Sequence, residues 1–358
     1  MTPRDLAEFD SVELETALAS LGAQRFHARQ IYGWIHRRGV TDFAKMTDLS
    51  RELRALLQAS CTIGTPTIAK KYVSVDGTTK YLLELADGKM IESVYIPDTP
   101  SQTFCISSQV GCAMGCGFCL TGRMGIFRNL TAGEIVGQVR VLAADLGFLD
   151  QPFNIVLMGM GEPMHNYEAV MKALAMLGSD LGLAMSPKRF TLSTVGIVPG
   201  IERLARESFM PNLAISLHAT TDAQRTQIVP VNKKYPLAQL MAACRAFPVR
   251  KRSRITFEYV LLDGVNDTPE DARRLVKLLH GIKAKVNLLP LNEAPGIPFQ
   301  RPSDERVNTF ARILADHDVN VTVRKSRGRD IRAACGQLIV TGAHLSPGQQ
   351  MAAAMDRL

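Results

Sequence analysis

From about residue 103 the chain alternates short apolar runs with amphipathic stretches, and this limits the fold more than any other feature. Candidate strands are 104–108, 153–159, 189–194, 213–217, 255–262, 286–291 and 319–323, with helical patterns between most of them. Alternation sustained over roughly 220 residues means a mostly parallel sheet, because parallel neighbours need a crossover that is usually helical. Two helix starts are explicit. Thr131-x-x-Glu134 is a capping box, with Leu130 and Ile135 as its hydrophobic staple. Thr268-Pro269 supplies an N-cap and then a proline at the first helical position. We expect an α/β fold, a partial TIM-like (β/α)6 barrel of about six βα units. Ligands of such sheets collect at the C-terminal ends of the strands.

The region upstream has a different period. Residues 1–60 read as a small helical domain: Ile31, Trp34 and Ile35 share one face of a helix over 28–37, Gly39 stops it, and another helix follows in 50–57. Next, 80–85 and 90–96 flank Asp87-Gly88, a hairpin signal. The expected division is therefore a helical N-terminal domain (1–60), a β-hairpin linker (61–98), the barrel (99–345) and a C-terminal tail (346–358). Apolar residues make up 46 %, which supports a sizeable core and argues against disorder. No apolar run is long enough to span a bilayer. Met1 to Asp10 carries Asp5, Glu8 and Asp10 and no apolar core of a signal peptide, so a cytoplasmic protein is expected; a monomer is expected as well. The net charge is +8 and is concentrated in two runs. One holds Arg250, Lys251, Arg252 and Arg254; the other holds Arg324, Lys325, Arg327, Arg329 and Arg332. Either alone is an ordinary solvated face. Two in a net-basic chain point to nucleic acid.

Seven cysteines are present, and in a reducing compartment clustered cysteines mean metal or redox chemistry more often than disulfides. The sharpest motif is Gly111-Cys112-Ala113-Met114-Gly115-Cys116-Gly117-Phe118-Cys119, which follows the first strand of the alternating region. Cys112, Cys116 and Cys119 have the spacing C-x3-C-x2-C. Three thiolates can hold three irons of a [4Fe–4S] cluster and leave the fourth open to a small molecule. Structural zinc wants four ligands in paired spacings, and no fourth Cys or His lies nearby in the sequence.

This loop resembles the signature of the radical S-adenosylmethionine superfamily, including the aromatic Phe118 before the last cysteine. The resemblance implies that the open iron is chelated by S-adenosylmethionine, whose sulfonium is split by one electron to give a 5′-deoxyadenosyl radical. Met158-Gly159-Met160-Gly161-Glu162-Pro163 resembles the glycine-rich segment that binds the methionyl amino group, with Gly161 allowing close approach and Glu162 accepting from the ammonium. Ser193, Ser216, Leu217, His218 and Asn292 stand at strand ends on the same side. Each alone is a commonplace loop residue; together they line one rim.

The likeness narrows further. Ser107–Cys112, Met158–Pro163, 213–219 (LAISLHA) and 333–338 (AACGQL) are similar to the ribosomal RNA adenine-C2 methyltransferase family, which also acts on transfer RNA; the likeness reaches into 30–38 and 42–53 and covers nearly the whole chain. The resemblance implies two S-adenosylmethionine molecules per turnover: one methylates a cysteine, and the other yields the radical that activates that methyl group for addition to the base. On this basis Cys335 is the methyl carrier, Cys105 resolves the covalent protein–RNA intermediate as a disulfide, and Glu92 removes the C2 proton. From its own surroundings in sequence, Glu92 is an exposed carboxylate on a hairpin strand and Cys105 a buried strand cysteine. The short tail around Cys335 suits a mobile thiol. Cys61 and Cys244 are structural. Expected partners are 23S ribosomal RNA, transfer RNA and a flavodoxin- or ferredoxin-type electron donor, with no membrane. Arg324–Arg332 is expected to hold phosphates, aided by Arg25, Arg37 and Arg38 of the N-terminal domain.

Two other readings remain open at this point. One is the sister enzyme that methylates C8 of the same ribosomal adenine and confers antibiotic resistance. The other is a non-catalytic RNA-binding protein with a structural metal.

Overall fold

A ten-stranded sheet frames the molecule, and its strands follow chain order from one edge to the other. The computed structural model describes residues 3–97 and 102–340; the boundary expected at 98–99 and the tail 346–358 lie outside the described residues. The strands are β1 (Thr67–Val73), β2 (Thr79–Glu84), β3 (Met90–Ile96), β4 (Thr103–Cys105), β5 (Asn154–Leu157), β6 (Phe190–Thr194), β7 (Asn212–Ser216), β8 (Ile255–Leu261), β9 (Ala284–Pro290) and β10 (Asn320–Val323). Pairing is antiparallel from β1 to β4 and parallel from β4 to β10. The edges β1 and β10 do not pair, so the barrel stays open. Six strand–helix units and a final strand make up the parallel part.

The N-terminal domain is built from α1 (Ser11–Ala19), α2 (Arg25–His36) and α3 (Arg51–Ser60), and the outer face of the sheet is covered by α4 (Ala132–Leu146), α5 (Tyr167–Gly178), α6 (Val198–Leu204), α7 (Asp222–Ile228), α8 (Leu237–Ala246), α9 (Pro269–Leu279) and α10 (Asp304–Ala315). Both expected caps are formed. Thr131 and Glu134 close a capping box on α4, and Thr268 does so with Asp271 on α9. Strand β8 is buried along its whole length, as expected for a parallel strand covered on both faces. Its side chains alternate: Phe257, Tyr259 and Leu261 enter the core under the helices, while Glu258 and Val260 face an interior cavity.

The hairpin expected in 61–98 is no separate linker. It continues the main sheet, with Val94 of β3 opposite Cys105 of β4. It also carries a third strand, β1, which the pattern did not reveal. That edge strand is exposed almost throughout and includes Lys70 and Lys71, so it lacks the half-buried alternation that marks a strand; lysines on an edge also discourage pairing with other chains.

The N-terminal domain has its own core around Leu14, Leu18, Ile31, Tyr32, Ile35 and Leu57. It is docked by polar contacts. Glu8 accepts from Thr131 Oγ1 (2.5 Å) and from the Gly133 amide (3.0 Å) at the start of α4, where free amides and the helix dipole favour an anion. Buried Arg140 donates to the Gly64 carbonyl (2.6 Å), and the Tyr32 hydroxyl donates to the Met176 carbonyl at the end of α5 (3.1 Å). Among the described residues, no helix is long and apolar enough to cross a membrane.

Candidate active site

At the C-terminal ends of the parallel strands lies a cavity of about 170 Å³. Cys112, Cys116 and Cys119 form one wall. They sit in a loop that begins in a small ribbon, Gln109–Cys112 paired with Gly125–Asn129, and leads into the helical turn Leu120–Arg123. The Gly117 amide donates to the Ile228 carbonyl (3.0 Å) and so ties the loop to α7. Burial raises the pKa of each thiol, that of Cys112 to about 12.

Opposite the cysteines, Gly159, Gly161 and Glu162 bring the turn after β5 into the cavity. Gly161 has φ +102°, and a Cβ there would fall 2.6 Å from Cβ of Gln109, so the turn requires glycine. The Glu162 carboxylate accepts from the Met164 amide (3.0 Å) and the Val195 amide (2.9 Å), which fixes its position. Burial still moves its pKa up, to about 7, against those hydrogen bonds. Ser193 and Ser216 line the same wall with their hydroxyl oxygens 3.5 Å apart.

His218 also lines the cavity, in the left-handed region at φ 61°. Its Nδ1 accepts from the Val260 amide (3.0 Å), so the neutral ring carries its proton on Nε2. Burial, aided by the charge of Arg225, pushes its pKa down to about 3. The ring meets Phe118 edge-on, with centroids 4.7 Å apart. Asn292 completes the rim, and its buried Oδ1 has no hydrogen-bond partner. An unsatisfied acceptor facing a cavity is costly unless a ligand donates to it.

Cys335 reaches the cavity from the segment after β10 and is accessible there. Although the residue as a whole is exposed, desolvation of its sulfur by the cavity wall raises the thiol pKa; Glu258 adds to the shift and Arg324 opposes it. The segment is firmly tied here, which differs from the loose tail that its small residues suggested. Leu120 donates to the Gly336 carbonyl (2.8 Å), Thr121 Oγ1 to the Leu338 carbonyl (2.6 Å), and Gln337 Nε2 to the Glu293 carbonyl (3.0 Å). Cys105 lies behind the wall in the main core, where burial and then the charge of Cys335 raise its pKa.

The residues fit the groups that the motif implies. Three thiols in the cavity wall suit a cluster that gives each thiolate its own iron. Among the described residues, no three Cys, His, Asp or Glu side chains converge on one point as a single ion would need. The Asn292 acceptor, the Glu162 carboxylate and the close glycine turn suit an amino-acid ligand.

The family is plain from comparison. Residues 4–63 match the model of the ribosomal RNA large subunit methyltransferase N-terminal domain, and residues 106–279 match that of the radical SAM superfamily. A "Dual-specificity RNA methyltransferase RlmN" of Syntrophobacter fumaroxidans is 49 % identical over 95 % of this chain and 99 % of its own length. A protein of the same name from Syntrophotalea carbinolica is 52 % identical over 93 % of this chain and 89 % of its own. The chain belongs to the dual-specificity RNA methyltransferase family. It has the radical SAM fold. A crystal structure of a radical SAM methyltransferase from Sphaerobacter thermophilus superimposes with a TM-score of 0.90 at 47 % identity, covering 94 % of this chain and 99 % of that one. A [4Fe–4S] cluster and S-adenosylmethionine are accordingly its cofactors.

Within this methyltransferase fold, several expectations need correction. Leu217 does not line the cavity. It belongs to the outward set Leu213, Ile215 and Leu217 in the apolar core, because the two-residue period that turns Ser216 and His218 inward turns Leu217 away. Glu92 is not exposed but buried, 2 % accessible, and pairs with Lys80 (2.9 Å). Burial moves its pKa up and the Lys80 charge opposes this. It does not line the cavity; its backbone meets Met160 and Ser107, just behind the glycine-rich turn. The two basic runs separate. Arg324–Arg332 follows the C-terminal end of β10 beside Cys335, whereas 250–254 precedes β8 at the opposite end of the sheet. Arg37 lies at that far end too, in a pocket of about 350 Å³ with Asp150, Gln151, Asp180 and Arg189. Arg25 pairs with Glu15 (2.7 Å), and the Arg38 guanidinium lies 3.9 Å from the Trp34 ring centre.

Two further residues escaped the sequence reading. Glu258 lines the cavity and accepts from Asn287 Nδ2 (2.8 Å); in sequence it is one acid in an otherwise apolar strand, and that oddity was its only signal. Arg225 is completely buried, and its guanidinium donates to the carbonyls of Val195 (2.5 Å), Ser216 (3.2 Å) and Leu217 (3.0 Å), bracing the ends of β6 and β7. Nothing in an amphipathic helix pattern distinguishes it from a surface arginine.

Proposed function

We propose that this chain methylates C2 of adenosine in RNA, at the peptidyl transferase centre of 23S ribosomal RNA and next to the anticodon of some transfer RNAs. One observation carries the reading. Cys335 is a wall shared by the cavity of the three-cysteine loop and by a cleft of about 50 Å³ lined by Arg324, Lys325 and Arg327. A thiol in that position can meet a cofactor on one side and a phosphate backbone on the other.

C2 of adenine is electron-poor and bears hydrogen, so it is a poor nucleophile towards a sulfonium methyl. When bound, the cluster would supply the one electron that splits S-adenosylmethionine, and the resulting 5′-deoxyadenosyl radical would remove a hydrogen atom from a methyl group carried on Cys335. Cys112, Cys116 and Cys119 hold the cluster, while Gly161, Glu162, Ser193, Ser216, His218 and Asn292 orient S-adenosylmethionine. Cys335 takes a methyl group from a first S-adenosylmethionine as a thioether and carries it to the base, which enters splayed from its stack. Once the carbon–carbon bond to C2 has formed and the adduct has given up one electron and the C2 proton, the Cys105 thiolate attacks Cys335 Sγ: the S–S bond forms, the S–CH2 bond breaks and the base carbon takes a proton, leaving the methylated adenine and a disulfide that a cellular dithiol reduces. By the family resemblance Glu92 accepts the C2 proton; to do so it must leave Lys80 and the Ile339 amide, which hold both of its carboxylate oxygens behind the glycine-rich turn. The enzyme works in the cytoplasm as a monomer with a flavodoxin- or ferredoxin-type electron donor.

Nucleoside mass spectrometry of RNA from cells with and without the chain tests this. Loss of 2-methyladenosine from both RNAs is expected. Loss of 8-methyladenosine instead would move the assignment to the sister reaction.

A further inference from the structure

The strand β2 residue Lys80 has no assigned role, yet it is 7 % accessible; its ammonium lies 5.2 Å from the Tyr72 ring centre and is held by two polar partners. One is Glu92 Oε1 on the neighbouring strand β3, at 2.9 Å. The other is the carbonyl of Arg332, at 3.3 Å. The second oxygen of the same glutamate, Oε2, accepts from the Ile339 amide at 2.8 Å. Arg332 and Ile339 are the two feet of the loop that bears Cys335 at its tip. One buried ion pair on the sheet therefore holds both feet of the loop.

We propose that Lys80 is a positioning residue: paired with Glu92, it clamps the loop from Arg332 to Ile339 and so sets where Cys335 enters the cavity. The physical case rests on burial. A carboxylate and an ammonium taken out of water need each other and further hydrogen bonds to their remaining donors and lone pairs. Here those further bonds are made to the loop backbone, so the loop is the third member of the ionic network. The loop contacts from Leu120, Thr121 and Gln337 run from neutral donors, such as Thr121 Oγ1 to the Leu338 carbonyl, and charge-assisted bonds are about twice as strong. Neutralising Glu92 would weaken both feet together, because one carboxylate holds Lys80 and Ile339.

The clamp itself does not depend on the chemistry proposed for Cys335, although its use does. The test uses the full chain, anaerobically reconstituted and free of RNA, as wild type, Lys80→Met and Lys80→Arg. Hydrogen exchange is followed by mass spectrometry over 332–340, together with the rate of Cys335 alkylation by iodoacetamide. In Lys80→Met both should rise about tenfold, equivalent to about 1.4 kcal/mol of lost protection, and Lys80→Arg should restore most of it. Lys71→Met, which removes the Lys71–Asp145 pair on strand β1, should leave both unchanged.

A folded Lys80→Met protein with wild-type exchange and alkylation overturns the proposal, as does an equal rise in Lys71→Met. If Lys80→Met does not fold, because it strands a buried carboxylate, Lys80→Met/Glu92→Leu removes the pair together and decides the matter by the same two rates. A Cys335→Ala enzyme that still methylated RNA would sink the function of the loop and leave the clamp standing.

Discussion

The two ends of the parallel sheet look alike in sequence and differ in what they gather. Each end has a basic run and a pocket, of about 350 Å³ at the N-terminal ends and about 170 Å³ at the C-terminal ends. The C-terminal ends bring together three thiols, His218, Glu162, Asn292 and Cys335. The pocket at the other end is lined by Arg37, Asp150, Asp180 and Arg189, and none of its lining residues is a cysteine. Size and charge therefore do not mark the working end. What marks it is the inward half of each strand's alternation running out into loops that converge on one cavity.

The sharpest way to break this contrast is Cys335→Ala. Iron content and S-adenosylmethionine binding should persist, while methyl transfer should fall by roughly a thousandfold or more, as for loss of an obligatory covalent group. Cys244→Ala, buried in the apolar core, should stay active. Retained methylation in the Cys335 variant would remove the distinction between the ends. Cys105→Ala should leave protein attached to RNA, visible as a slow band on a denaturing gel.

The two basic runs allow a graded comparison. Arg324→Ala with Arg327→Ala should weaken RNA binding and lower the slope of log affinity against log salt by about 0.7 to 0.9 per charge removed. Lys251→Ala with Arg252→Ala should leave that slope alone. Equal effects from both pairs would mean that RNA wraps the whole sheet.

Two histidines carry the contrast into pH. Burial pushes both His36 and His218 down to about 3, aided by Arg140 in the first case and Arg225 in the second. Each binds fewer protons folded than unfolded below its ordinary value of 6.5, so its stabilisation is present above that pH and lost as pH falls toward 3. The ceiling is ~1.4 kcal/mol per pH unit for each ring. His36→Gln and His218→Gln should each flatten the acid limb of urea-unfolding stability relative to wild type. Taking the difference cancels Glu162, whose raised pKa acts in the opposite sense. Only His218→Gln should also raise the KM for S-adenosylmethionine. The smallest effect belongs to Tyr32→Phe, which loses the hydrogen bond to Met176 and should cost about 1 kcal/mol in urea without altering methyl transfer.

Much of this was legible before any coordinates. Thr131, Glu134 and Thr268 announced their helices because caps are local hydrogen-bond arrangements within four residues. Cys112, Cys116 and Cys119 announced a cluster because one loop supplies all three ligands. The errors share a cause. Leu217 sat in a correct motif but on the wrong parity, and which parity faces inward is set by what packs on each side. Glu92 was judged by its neighbours in the chain, yet Lys80 and Ile339, which bury it, come from another strand and from a segment 247 residues away.

The sequence by itself determined the order of elements, the open parallel sheet and the thiol loop, since period, capping and ligand spacing act over short stretches of chain. Only the tertiary structure decided that Cys335 stands between a cofactor cavity and a basic cleft, that one lysine–glutamate pair holds both feet of its loop, and that the two basic runs face opposite ways. Those facts depend on distances between residues far apart in the chain. Burial then changes the electrostatics of each group in ways that no local pattern encodes.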